Sequence, residues 1–348
     1  MLIFFLILLV TFFFAVIPKN ESHTCVYLII LSFFLVLFSG GRAVGSSPDD
    51  LNYFYSLYYV YGEFEYLYYV LELINIEYFG SSIELQFFVM ALLSMFTLML
   101  TLFRYKSIAL WSLLIYMVHI YLYRDLIQIR AAVAYNIVLL GFIFLLERKS
   151  LYKFFLAVIL ASGFHISSII ALVALFLRKI NLTVKTYLIL VFIAFSISIL
   201  GFKSVIVYIA SLIPFLGVYL NTYVLDEGGF SYSVGFLNPT ILKSIIFSII
   251  FLSKKERVSL FFNDALLINL YCFSVLILVS LNEFAVLSAR AASLFSSVEI
   301  LLIPAIVIKS SRNEKVFLFL FFFISYLSVF FLNLFFKDML SNYRLGFL

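Results

Sequence analysis

The sequence predicts an all-α polytopic integral membrane protein with about 12 transmembrane helices, within a range of roughly 10 to 13. Hydrophobic residues make up 65% of the chain and charged residues only 12%. Apolar stretches long enough to cross a hydrocarbon core of about 30 Å recur along the whole sequence. Because a backbone in lipid must satisfy its own hydrogen bonds, we expect these stretches to be helices.

The predicted spans follow one another along residues 1–348, which we interpret as a single polytopic membrane domain. In chain order they are Leu2–Ile17, Cys25–Phe38, Gln86–Phe103, Ile108–Tyr123, Ala131–Leu146, Phe154–Phe164, Ile166–Leu177, Tyr187–Leu200, Thr240–Leu252, Ala265–Leu281, Ala291–Ile308 and Val316–Phe336. Two of them, Phe154–Phe164 and Ile166–Leu177, are short. Their length favours either a tilted pair or a re-entrant hairpin that turns at His165.

Most of the 23 Lys and Arg residues fall in alternate loops between these spans. They are Lys19, Arg104, Lys106, Arg148, Lys149, Lys153, Arg178, Lys179, Lys185, Lys254, Lys255, Arg257, Lys309, Arg312 and Lys315. Because basic loops stay in the cytoplasm, we expect the other loops and both termini to face outward. A full span over the Tyr-rich stretch 64–79 would instead place the N-terminus inside. The net charge of +5 thus reflects topology and indicates no nucleic-acid partner.

Two outward segments are long enough to contain structure of their own. Residues 40–85 contain many tyrosines and acids, and Tyr66, Tyr69 and Leu73 follow helical spacing. This pattern predicts an interfacial helix at the membrane surface. Residues 201–239 begin with an apolar, amphipathic part and end in a polar turn from Asp226 onward.

Arginines at the outward ends of the spans are candidate phosphate-binding groups. Arg130 begins a predicted helix, where the planar guanidinium and the helix N-terminus both suit an anion. The alternative is an arginine that snorkels to the membrane boundary. Arg124 and Asp125 are expected to form a local ion pair. Arg290 has the same context as Arg130, so the two arginines could bind one diphosphate from two sides.

Candidate proton acceptors lie at the same predicted face. Neutral His165 could accept a proton from a sugar hydroxyl near pH 7, or it could only hydrogen-bond between helices. Asp49 and Asp50 are adjacent and point in different directions, so at most one is expected to function. Glu65 begins the predicted interfacial helix, where a carboxylate also suits the helix dipole.

Two further points concern buried charge and metal. Glu299 lies deep in a predicted span and needs a partner, for which Lys243 is a candidate; a structural ion pair is the preferred interpretation. No spacing of His, Cys, Asp and Glu resembles a zinc site, and the two cysteines lie in apolar segments.

Short motifs in a fixed order resemble the EpsG-like branch of bacterial Wzy-type polysaccharide polymerases. The motifs are Gly41-Arg42, Asp49-Asp50-Leu-Asn-Tyr53-Phe-Tyr55, Phe64-Glu65-Tyr66, Ile129-Arg130-Ala-Ala-Val-Ala134, Gly163-Phe-His165-Ile-Ser-Ser-Ile-Ile and the later Arg290. Arg130 and Gly141 also fit an R-x10-G spacing described for some Wzy polymerases. The implied fold resembles GT-C-type membrane glycosyltransferases.

The resemblance implies a glycosyl transfer without metal or other cofactor, at the outer face of the bacterial cytoplasmic membrane. Donor and acceptor would both be undecaprenyl-diphosphate-linked oligosaccharides. Further expected partners are membrane lipids, with a chain-length regulator protein as an additional candidate. The diphosphate would contact Arg130 and Arg290, with Arg42 third. His165 is the preferred base, and Asp50 or Glu65 is the alternative.

Two other functions stay open at this point. A flippase for the same lipid-linked sugar would also need charges in an apolar bundle, but it should show two pseudo-symmetric halves with charges near mid-membrane. Here the charges gather at one face, and no repeat is visible. A ligase-like transferase would differ from the polymerase only in its acceptor.

Overall fold

The computed structural model describes residues 2–17, 20–59, 64–147, 150–201, 208, 232–336 and 339–346. Over these residues the secondary structure is helical, apart from one isolated antiparallel bridge between Arg42 and Leu345. The all-α prediction is therefore confirmed for the part of the chain that the structure describes. The amphipathic part and the Asp226 turn of segment 201–239 lie almost entirely outside the described residues.

The helices follow the predicted spans closely. The first eight are α1 (Leu2–Val16), α2 (Glu21–Gly40), α3 (Asp50–Tyr59), α4 (Tyr66–Phe79), α5 (Ile83–Leu102), α6 (Ala109–Tyr116), α7 (Leu122–Arg124) and α8 (Ile129–Leu146). The next are α9 (Leu151–Phe164), α10 (Ala174–Leu177), α11 (Val184–Ile199), α12 (Pro239–Ser253), α13 (Lys255–Phe262), α14 (Leu266–Ser280), α15 (Ala285–Ser296), α16 (Glu299–Lys309) and α17 (Arg312–Phe331). Short 3₁₀ or π turns link several of them, at Phe103–Tyr105, Met117–Tyr121, Ile166–Val173 and Leu332–Phe336.

Four helical stretches among the described residues are long and apolar enough to cross a membrane. They are Glu21–Gly40, Ile83–Tyr105, Ile129–Leu146 and Arg312–Phe335. The bent pair of α15 and α16 passes the same test together and would be a fifth. Six shorter apolar helices occupy other predicted spans. These helices support an integral membrane protein, whereas the number of 12 spans stays a prediction.

The described chain divides into two compact units, Met1–Leu172 with Ile303–Leu348 and, separately, Val173–Leu302. In the first unit the almost fully buried α8 packs against α5 and α9, and α2 packs against α5. Gly40 permits the close approach of α2 and α5, because a Cβ there would lie 2.7 Å from the Phe88 Cα. Substitution at Gly40 would force the two helices apart.

A buried polar network joins α5, α6 and α8 to Asp125, which follows α7. Asp125 accepts hydrogen bonds from Ser94 Oγ at 2.6 Å and from Tyr116 Oη at 2.7 Å. The Asn136 amide donates to the same serine and tyrosine oxygens, each at 2.9 Å. The predicted ion pair between Arg124 and Asp125 is therefore wrong. Buried hydroxyl groups satisfy the carboxylate in place of the neighbouring guanidinium, which hydrogen-bonds instead to Gln128.

In the second unit, α14 packs against α10, α11, α12 and α15. Its Asn269 amide donates to the carbonyl oxygens of Leu177 and Ile180, at 2.9 and 2.8 Å, and so satisfies the C-terminal end of α10. Glu299 lies 3.8 Å from the Lys243 ammonium, which confirms the predicted partner. The predicted span Ala291–Ile308 is not one helix, because α15 and α16 are separated by a break.

Candidate functional site

One carboxylate brings together three residues that the sequence proposed separately. Glu65 directly precedes α4, Arg130 lies in the first turn of α8, and His165 follows the last residue of α9. The Arg130 guanidinium donates from Nη1 to Glu65 Oε2. His165 Nδ1 lies 3.0 Å from Glu65 Oε1, which also accepts the backbone N–H of Ile166 at 3.1 Å. Residues that are far apart in sequence thus form one polar cluster.

Local backbone features hold His165 in this position. Helix α9 ends at Phe164, and His165 has an extended backbone with φ −156°, while its N–H donates to the Ala161 carbonyl at 2.8 Å. Gly163 packs against α4, since a Cβ there would lie 2.6 Å from the Leu67 side chain. Because Leu67 follows Glu65 by two residues, this close approach brings the end of α9 to the Glu65 carboxylate.

Aromatic rings surround the Arg130 guanidinium. Its Cζ lies 3.8 Å from the ring centroid of Phe64, 5.8 Å from that of Tyr68 and 5.9 Å from that of Tyr53. Electron-rich ring faces attract a cation at these distances. Tyr53 and Tyr68 are buried. The tyrosine pattern in the sequence favours a membrane-interface position, whereas these two side chains lie beside the Arg130 guanidinium.

The protonation states within the cluster are those of a neutral imidazole beside an ionised carboxylate. Burial raises the pKa of Glu65, but the hydrogen bond from His165 and the Arg130 charge outweigh it and lower the pKa to about 2. Burial lowers the pKa of His165 below its ordinary 6.5, although Glu65 opposes this. Near pH 7, Glu65 is therefore ionised and His165 is neutral. An ionised carboxylate requires Nδ1 to carry the proton, which leaves Nε2 as an acceptor.

The cluster is partly open. The side chains of Arg130, Glu65 and His165 are 20%, 15% and 15% exposed to solvent. The Tyr135 ring centroid lies 6.0 Å from that of His165, and Arg124 Cζ lies 4.4 Å above Tyr135. A second guanidinium therefore adjoins the histidine through an aromatic ring. An imidazole that can accept a proton and a guanidinium that can bind an anion therefore lie within one partly exposed cluster.

Arg42 and Asp50 form a different pair. Both side chains are fully buried, and Asp50 Oδ1 accepts from Arg42 Nη2 at 2.9 Å and from Nε at 3.1 Å. Arg42 Nη1 donates to the Ser39 carbonyl, and Ser47 donates to Asp50 through both its N–H and its hydroxyl. The Arg42 guanidinium also lies 3.9 Å from the Phe87 ring centroid. This geometry gives both candidates a structural role in the fold.

Arg290 lies in the second unit, half-buried in α15. The helix begins at Ala285, so the prediction that Arg290 opens a helix is wrong, and the argument from a helix N-terminus does not apply to it. Its role with diphosphate stays a prediction.

Glu72 is not among the candidates that the sequence motifs single out; it lies on α4 one helical turn after Tyr68 and is only 1% exposed. Burial raises its pKa to about 7, although Ser56 and the Arg130 charge lower it. The sequence does contain a feature that indicates Glu72, because Glu65, Tyr68 and Glu72 follow the spacing of one helix face. Within the described residues, no group of three His, Cys, Asp or Glu side chains is arranged to hold a metal ion.

Apolar helices of spanning length define the class as an integral membrane protein. The chain belongs to the EpsG family, whose model matches residues 25–345, nearly the whole sequence. Membership implies a polysaccharide-polymerase type of function with glycosyltransferase-like chemistry. The family resemblance inferred from the motifs is thereby confirmed. Comparison with curated proteins and with solved structures gives no match.

Proposed function

We propose that this protein joins undecaprenyl-diphosphate-linked oligosaccharide repeat units by glycosyl transfer at the outer face of the bacterial cytoplasmic membrane. The product would be an O-antigen, capsule or exopolysaccharide chain. Family membership supports the class of reaction. The proposed site is supported by one observation, the contact of the Glu65 carboxylate with both the His165 imidazole and the Arg130 guanidinium.

In the proposed reaction, an acceptor sugar hydroxyl attacks the anomeric carbon of the donor. A carbon–oxygen bond forms, and the bond to the lipid diphosphate breaks with its electron pair on the diphosphate oxygen. His165 Nε2 takes the hydroxyl proton as general base, and Glu65 stabilises the resulting imidazolium. The proton then passes to the departing diphosphate or to water, which restores neutral His165 for the next transfer.

Arg130 is proposed to offset the charge that develops on the leaving diphosphate. Guanidinium has five N–H donors. Its Nη1 donates to Glu65 and Tyr53 also hydrogen-bonds to the guanidinium, so three of the five donors remain for phosphate oxygens. Arg290 is kept as a second proposed contact. Arg42 and Asp50 are omitted from the proposed chemistry, because neither side chain has exposed surface.

The activity is tested with purified protein and lipid-linked repeat units in detergent, without metal or nucleotide sugar. Longer lipid-linked glycans are expected from the native protein and none from Arg130→Ala. Arg130→Lys should remain impaired, because lysine keeps the charge but loses the bidentate fork. Arg104→Ala is the matched control, since Arg104 also pairs with a glutamate, Glu147, but at a more exposed position.

Three outcomes would contradict the proposal. Full elongation by Arg130→Ala at a normal protein level would remove Arg130 from the site. If the native protein does not elongate but moves the units across proteoliposomes, it is a transporter. Transfer of a finished glycan onto a different lipid acceptor, without elongation, would indicate a ligase.

The proposed orientation has its own test. Single cysteines are placed at Ser253, in a basic loop, and at Ser81, between α4 and α5, after Cys25 and Cys272 are replaced. A membrane-impermeant thiol reagent should label position 81 and not 253 in intact cells, after permeabilisation of any outer membrane. The reverse labelling would place the Glu65 site on the cytoplasmic side.

A further inference from the structure

A long apolar groove lies within the unit Met1–Leu172 with Ile303–Leu348. It has a volume of about 680 Å³ and is lined by side chains of α1, α6, α16 and α17. Its lining includes Phe5, Trp111 and Phe319 and is almost wholly hydrocarbon. Lys315 is the one charged residue among the lining residues that the structure describes.

The position of Lys315 gives the groove a polar end. Lys315 lies in the first turn of α17, which follows the basic segment from Lys309, and the groove continues along α17 as far as Phe331. At 1.5 Å per residue this path is roughly 24 Å long, comparable with most of a hydrocarbon core. Trp111 lines the groove near the start of α6, shortly after the basic residue Lys106. Tryptophan favours the boundary between headgroups and hydrocarbon.

The Lys315 ammonium is available to a ligand. The side chain is exposed, and it makes no salt bridge or side-chain hydrogen bond with another described residue. By contrast, Lys106 pairs with Glu21 at 3.1 Å and Arg104 pairs with Glu147 at 2.6 Å. A free cation at the headgroup end of an apolar groove is complementary to a lipid that has an anionic phosphate above an acyl chain.

We propose that this groove binds an anionic phospholipid of the surrounding membrane, with an acyl chain along α17 and the phosphate on the Lys315 ammonium. The site is separate from the Glu65 cluster in its residues and in its chemistry. The proposal depends on the membrane setting and not on the transfer reaction.

The test is lipid retention by the full-length protein, measured by native mass spectrometry after delipidation and addition of phosphatidylglycerol or phosphatidylcholine. The native protein should retain phosphatidylglycerol about fivefold better, as expected for one lysine near an anionic headgroup. Lys315→Gln should remove that preference. Lys179→Gln, an exposed lysine of another basic loop, should leave it unchanged. Val307→Trp should reduce retention of both lipids by filling the groove, with Leu320→Trp as a second variant if the first fails to fold.

Three results with the two phospholipids would overturn the proposal. They are an unchanged preference in Lys315→Gln, undiminished retention in a folded groove-filling variant, and equal retention of the two lipids by the native protein. Displacement of phosphatidylglycerol by an equimolar polyprenyl diphosphate would also overturn it, since the groove would then hold the substrate's hydrocarbon chain.

Discussion

Two arginine–carboxylate pairs of the first unit, Arg42–Asp50 and Arg130–Glu65, have the same chemistry and different surroundings. In the first, neither side chain has exposed surface, and the groups around it supply further hydrogen bonds. In the second, both side chains keep some exposure, and the carboxylate also contacts His165. We call Arg42–Asp50 the closed pair, and Arg130–Glu65 with His165 the open cluster. The closed pair fixes the backbone, whereas the open cluster can contact a ligand.

The difference also lies in what each pair joins. Arg42 and Asp50 are eight residues apart and stabilise the turn between α2 and α3, where the Gly346 N–H also donates to the Gly41 carbonyl at 2.8 Å. Glu65, Arg130 and His165 come from three separate helix ends. Removing a member of the closed pair should therefore cost stability, and removing a member of the open cluster should cost activity.

The largest expected effect is on folding at the closed pair. Arg42→Ala or Asp50→Ala leaves a buried charge without its partner, which typically costs about 3–5 kcal/mol. Folded protein should disappear from detergent extracts, as measured by size-exclusion chromatography of a fluorescent fusion. The double variant Arg42→Met with Asp50→Leu should recover part of the yield, because it leaves no unpaired charge. A normal yield of folded Arg42→Ala protein would show that the buried Arg42–Asp50 pair is not needed for stability.

The open cluster is tested next, by His165→Ala. Loss of a positioned general base typically lowers the rate about 10²–10⁴-fold, and folded yield should stay near that of the native protein. The measurement is initial elongation of lipid-linked repeat units by equal amounts of purified protein. His23→Ala, at an exposed histidine, is the control and should elongate normally. A folded His165→Ala protein with native activity would show that His165 is not the general base.

The pH dependence of the open cluster sharpens the comparison. Because the pKa of His165 lies below 6.5, kcat/KM should be constant near neutral pH and fall only at lower pH, as the imidazole becomes protonated. The Glu65 charge raises that pKa, so Glu65→Gln should move the acid limb to still lower pH. If Glu65 has only a structural role, Glu65→Gln should lower activity without moving the acid limb. A shift of the acid limb to higher pH would contradict the prediction.

Much of the fold was predictable because it depends on local composition. Helices α2 and α8 occupy the predicted spans Cys25–Phe38 and Ala131–Leu146, since a long apolar run in lipid has no other way to satisfy its backbone. The predicted span Ala291–Ile308 begins later than α15 does, because the charge of Arg290 suggests a span boundary. The preceding residues, including Ala285 and Ala289, are good helix formers and extend the helix upstream.

The site was predictable in its residue types and not in its grouping. The sequence proposed Arg130, His165 and Glu65 individually, but a contact across 100 residues of sequence depends on how α4 meets α9. Composition also cannot distinguish the burial of Arg42 from that of Arg130, since both arginines stand beside small residues. Only packing shows that one is closed and the other open.

The smallest expected effect concerns Glu72, a buried acid that forms no ion pair with the described residues, unlike Asp50. Because burial raises its pKa from 4.5 to about 7, the folded state holds a proton that the unfolded state loses over this range. Stability should therefore fall as pH rises from about 4.5 to 7 and then level off, by on the order of 1–3 kcal/mol. Glu72→Gln cannot ionise and should lack this loss, so its advantage in melting temperature over the native protein should be larger at pH 8 than at pH 5. Glu77→Gln, at an exposed position on α4, should melt in parallel with the native protein. If Glu72→Gln also melts in parallel, Glu72 is ionised at no cost, and a cation must compensate it as Arg42 compensates Asp50.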